Sequence, residues 1–86
     1  SILCAILHHM VMTFSNDINA VFSRNLRVAR ISQNISQEEL ANRCGLARTY
    51  ISAVERGERN ISLRNVQRIA AALGISESEL LDRSNG

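Results

Sequence analysis

The sequence predicts an all-α fold of five short helices, and three observations carry that expectation. Apolar residues recur at helical spacing in several separate stretches. Proline is absent while 45% of the residues are hydrophobic, which suits a compact helical bundle. Helix-start pairs of Ser and Glu, and helix-stop residues Gly or Asn, punctuate the stretches.

The first helix is expected from about Asn16 to Ser32. Its stripe is Ile18, Phe22, Leu26 and Ala29, with Arg24, Arg27 and Arg30 on other faces. Asn34 is a left-handed stop. Ser36 with Glu39 forms a capping box that opens a second helix at Gln37. Leu40, Ala41 and Cys44 share one side of it, and Gly45 ends it, because glycine tolerates a left-handed backbone. Leu46 plugs the turn. Ile51 and Val54, at i and i+3, supply the inner face of a third helix. Ala41 is small, as close helix crossing requires. Gly57 to Asn60 reads as a linker. Ser62 caps a fourth helix with the stripe Leu63, Val66, Ile69, Ala70 and Leu73, ended by Gly74. Ser76 with Glu79 opens a short fifth helix through Leu80 and Leu81.

Gln37 to Arg56 therefore reads as a helix-turn-helix, and its second helix has an outer face suited to DNA. At about 100° per residue, Thr49, Ser52, Ala53 and Arg56 point away from Ile51 and Val54, and Arg48 sits in the first turn. Slim residues let the helix end enter the major groove. Arg48 is a candidate for a bidentate pair with guanine. Thr49 and Ser52 are candidates for a base edge or a thymine methyl. Tyr50, the only tyrosine, can reach a phosphate while its ring packs. Gln37, at a helix N-terminus, and Arg59 and Asn60 in the linker are candidates for the DNA backbone. Plainer readings stand beside these. Arg48, Thr49, Ser52, Arg56 and Gln37 can be solvated surface residues, Tyr50 a packing residue, and Asn60 a loop residue bonding its own backbone.

Charge supports the DNA reading. Residues 21–70 hold nine arginines and four acids, a balance of +5 within a chain of net charge +2. All ten basic residues are arginine, whose planar fork favours phosphate and guanine, although codon bias explains this as well. An 86-residue chain buries only about 60–65% of its unfolded surface, too little for a deep catalytic pocket. No catalytic triad stands out, so no enzymatic activity, cofactor or small-molecule substrate is expected. Cys4 and Cys44 lack metal-type spacing, and His8 and His9 face apart on a helix, so no metal is expected. The two distant cysteines fit a reduced, cytoplasmic protein, with Cys44 a small core hydrophobe.

Residues 1–14 form an apolar extension, of leader or cloning origin, that should pack on its own domain or on a partner chain. The run is shorter than a membrane span, which takes roughly 17–25 residues, and it lacks a signal peptide's basic start and cleavage site. Residues 15–83 are the expected DNA-binding and dimerisation domain, and 84–86 a tail.

The segment ISQEELANRCGLARTYISAVERGERNISLRNVQRIAAALGIS resembles the phage-repressor and Cro class (XRE-like) of helix-turn-helix regulators. Within it, RTYISAVERGERNISL resembles the controller proteins of restriction-modification systems. The resemblance spans Phe22 to about Leu81. It implies a five-helix lambda-repressor-like domain and a homodimer, built from the last two helices, on palindromic operators. By motif position, Arg48 matches the base-reading arginine, and Thr49, Tyr50 and Ser52 the other recognition-helix contacts. Gln37 matches a phosphate contact, and Arg59 and Asn60 the linker contacts. Arg30 and Glu55 match a structural ion pair. Asn34 departs from the usual glycine, and the apolar extension has no counterpart.

Leu73, Ile75, Leu80 and Leu81 are candidates for the dimer face, or else they close the monomer core. Activation would also need contact with RNA polymerase. Two other readings remain open at this point: an antitoxin-type regulator gripping a toxin through residues 1–14, and a protein-interaction module that binds no DNA.

Overall fold

The computed structural model describes residues 17–85. The expectations placed on residues 1–14, including Cys4, His8 and His9, and on Asn16 lie outside the described residues. Five helices follow in order: α1 (Ile18–Ser32), α2 (Gln37–Cys44), α3 (Arg48–Glu55), α4 (Leu63–Leu73) and α5 (Glu77–Leu80). A 3-10 turn, Arg83–Asn85, closes the described chain where a plain tail was expected. No strand occurs among the described residues.

Local chemistry sets most of the boundaries. Asp17 starts α1 by accepting the Asn19 N–H at 3.0 Å. Ser36, Ser62 and Ser76 cap α2, α4 and α5 through N–H groups three residues on. The box at α2 is one-sided: Ser36 accepts from Glu39, while the Glu39 carboxylate pairs with Arg43 at 3.1 Å. Asn34 adopts φ 58°, so it is the left-handed stop expected of it, and Gly45 ends α2 at φ 69°. By contrast, α3 begins at Ala47 with no side-chain cap.

The core draws on all five helices: Phe22 and Leu26; Leu40, Ala41 and Cys44; Ile51 and Val54; Val66, Ile69, Ala70 and Leu73; and Leu80. Two stripe residues depart from expectation. Ile18 is 42% exposed and Leu63 82%. Both are the first residue of their helix, at the margin of the packed layer, where periodicity alone overstates burial. Val21, outside the expected stripe, is fully buried.

Helix α1 also acts as a polar strut. The last carbonyls of a helix have no partner within it and must find one elsewhere. Ser23 Oγ donates to Val54 O at 2.6 Å and Arg27 Nη2 to Glu55 O at 2.9 Å, closing α3. Gln33, just past α1, donates to Leu73 O at 2.6 Å, closing α4. Asn25 Nδ2 reaches Leu80 O and Asp82 O, both at 2.9 Å, closing α5.

Packing divides the four residues expected at a dimer face. Leu73 and Leu80 are spent in the chain's own core, at 4% and 0% exposure, so they offer no surface to a second copy. Ile75 and Leu81 are half-buried and stay partly open.

Candidate nucleic-acid interface

Helix α3 packs through Ile51 and Val54 and turns Arg48 and Thr49 fully outward. Neither the Arg48 nor the Thr49 side chain has a hydrogen bond or ion pair among the described residues. Tyr50 is half-buried; its hydroxyl accepts from Asn65 Nδ2 at 3.1 Å, leaving its own proton to donate. The Arg59 guanidinium lies over the Tyr50 ring, 5.4 Å from its centroid, which brings the linker onto the base of α3.

Further along the helix, Arg56 donates to Ser52 Oγ through Nη1 and to Glu58 Oε2 through Nε at 2.9 Å. Ser52 is thus engaged by a neighbour rather than freely presented. Asn60 Oδ1 accepts from Asn19 Nδ2 at 2.7 Å, so its amide nitrogen is still available.

Behind this face stands a buried charge network. Glu55, 3% exposed, accepts Arg30 Nε at 2.7 Å and Arg30 Nη2 at 3.0 Å. Arg30 Nη1 donates to Ile35 O at 2.9 Å. The hydrogen bond to Glu55 outweighs desolvation and raises the Arg30 pKa above its ordinary value, so the arginine stays charged. Gln37 joins the same carboxylate: its Nε2 donates to Glu55 Oε1 at 3.1 Å. One residue at the end of α3 therefore fixes the start of α2 and the flank of α1.

Sequence reasoning paired Arg30 with Glu55 and set Gln37 apart as a phosphate contact, and the structure gathers all three at one carboxylate. It missed Arg27, Asn65 and Asn19, whose partners lie 28, 15 and 41 residues away; no local spacing signals such pairs. Cys44 lies in the core, and burial raises its thiol pKa. Among the described residues, no cluster of three potential metal ligands occurs, and no helix is long and apolar enough to cross a membrane.

Residues 26–80 match the model of a family described as helix-turn-helix. The chain belongs to the helix-turn-helix family. This helix-turn-helix protein is 52% identical over 65 residues to a hypothetical transcription factor of Neisseria meningitidis. That match covers 76% of this chain and 61% of the relative, less than two thirds of its length. It is 49% identical over 69 residues to control protein C.BamHI of Bacillus amyloliquefaciens, covering 79% of this chain and 85% of that one. Its fold superposes with a TM-score of 0.70 on the restriction-modification controller protein C.Esp1396I, solved as a tetramer with its natural 35 base-pair operator. That likeness has 30% identity and covers 74% of this chain and 84% of the other.

Proposed function

We propose that this helix-turn-helix protein is a sequence-specific transcriptional regulator, not an enzyme, and that it serves as the controller of a restriction-modification system. The observation that carries the reading is the outer face of α3. The Arg48 and Thr49 side chains have no polar partner among the described residues, and they stand on a helix whose far end is locked by the Arg30–Glu55 pair. Side chains held ready but unused suit base-edge recognition, with Arg48 as the guanine reader. Gln37, Tyr50, Arg56, Arg59 and Asn60 then supply backbone contacts, and Ser52 joins once Arg56 swings to a phosphate.

One such helix reads only a few base pairs. Residues 15–83 therefore act as a homodimer that sets two reading helices about 34 Å apart on a palindromic operator. Ile75 and Leu81 are the candidates for the dimer face that packing leaves open. The protein works in the cytoplasm, where it contacts RNA polymerase when it activates. The relatedness to C.BamHI and to an operator-bound controller supports this assignment. The deciding experiment is a binding titration on duplex from upstream of the protein's own gene, against random duplex, over a range of salt. Preferential binding that weakens steeply with salt is expected; equal affinity for both duplexes refutes the proposal.

A further inference from the structure

A cleft of about 280 Å³ opens beside the C-terminal end of α3, lined by Arg24, Arg27, Glu55, Arg56 and Gly57 among others. Its arginines differ in what they have left to offer. Arg27 caps Glu55 O, and Arg56 is divided between Ser52 and Glu58. The Arg24 side chain has no hydrogen-bond or ion-pair partner among the described residues, and its Nε is shut off from solvent. A guanidinium donor kept dry and unmet is uncommon, because the lost hydration is normally replaced. The lining charge is positive: three guanidiniums (Arg24, Arg27, Arg56) stand against one carboxylate, Glu55, which Arg30 already engages.

The cleft adjoins the C-terminal end of the reading helix. Arg56 follows the last residue of α3, and the first turn of α1 is tied to the linker by the Asn19–Asn60 hydrogen bond. From the operator-binding reading given above, on which this step rests, we infer that Arg24 and the cleft it lines form a further anion site that takes a phosphodiester of the operator backbone. The forked guanidinium suits a phosphate's paired oxygens through its two terminal nitrogens, since the Nε that is closed to water is closed to a phosphate as well. The geometry favours DNA over an acidic protein partner, because the cleft adjoins the end of the reading helix.

The test uses the full chain, a duplex carrying its operator, and the variants Arg24→Ala and Arg24→Lys. Arg24→Ala should weaken operator binding by about tenfold, the size of one charge-assisted hydrogen bond. It should also lower the salt slope by about one for each protomer bound, while Arg24→Lys keeps much of that slope. A methylphosphonate scan of the duplex supplies a readout that a merely structural role would not move. One backbone position in each half-site should weaken the wild type when neutralised and leave Arg24→Ala unaffected. Wild-type affinity and slope in Arg24→Ala overturn the inference, and so does a scan in which every position affects both proteins equally. Intact DNA binding with lost response to polymerase also overturns it, in favour of an acidic protein surface. A wild-type chain that prefers no duplex fails earlier, at the operator reading, and takes this inference with it.

Discussion

Gln37 and Glu55, on different helices, share a hydrogen bond of 3.1 Å that joins the N-terminus of α2 to the end of α3. The residue expected to touch phosphate is thus held in place by the residue expected to be scaffold. Gln37→Ala leaves the Arg30–Glu55 pair intact and should cost only about 0.5–1.5 kcal/mol of stability. Operator and random duplexes should lose affinity by the same factor, with the salt slope unchanged because Gln37 carries no charge. Titration of both duplexes at several salt concentrations checks this; a changed operator preference would contradict it.

Removing Glu55 is a different matter. Glu55→Ala strands a largely buried Arg30, 14% exposed, and should destabilise the fold by about 3–5 kcal/mol. Thermal or urea unfolding measures it. A loss under 1 kcal/mol would mean that the pair does not hold the helices together.

Arg48→Ala removes a side chain with no polar partner among the described residues. The melting temperature should stay within error, and operator affinity should fall by about 1–3 kcal/mol with relaxed choice at one base pair. Selection from a randomised half-site library shows whether a single position loses its preference.

Neighbours Leu80 and Leu81 should behave oppositely. Leu80 is fully buried, so Leu80→Ala should cost about 2–5 kcal/mol, visible even at dilutions where only monomer is present. Leu81 is half-buried, and Leu81→Glu should shift sedimentation toward monomer while largely preserving helical content. Unchanged sedimentation would move the dimer face elsewhere.

The Asp82 carboxylate accepts from Ser84 Oγ at 2.6 Å and from Ser84 N at 2.8 Å, which lowers its pKa. A depressed pKa stabilises the turn above the unfolded value near 3.9 and loses that contribution as pH falls through the folded value. The Asp82 carboxyl chemical shift should titrate below the ordinary aspartate range, and Ser84→Ala should bring it back toward normal. An identical midpoint in both proteins would refute the assignment.

What was legible in the sequence is what is decided locally. Ser36, Ser62 and Ser76 each cap a helix three residues away, and Gly45 and Asn34 stop helices through their own backbones, so short spacing reveals them. Helical angle alone placed Phe22, Leu26, Ile51 and Val54. It failed at Ile18 and Leu63, because angle does not say where the neighbouring layer ends. It also could not separate Leu80 in the core from a dimer contact, since both choices use the same face. Asn25 and Ser23 left no trace, as their partners lie 55 and 31 residues away, and a polar residue inside a helix reads as surface. At the reading face, the chemistry of Arg48 was visible, but the engagement of Ser52 by Arg56 was not.

The two sides of α3 lead separate lives. Glu55 ties its own helix to two others at once, so substitutions there disturb the whole assembly. The Arg48 and Thr49 side chains have no polar partner among the described residues. A lineage built on this frame can acquire a new DNA target by exchanging a few outward side chains, with no need to solve the folding problem again.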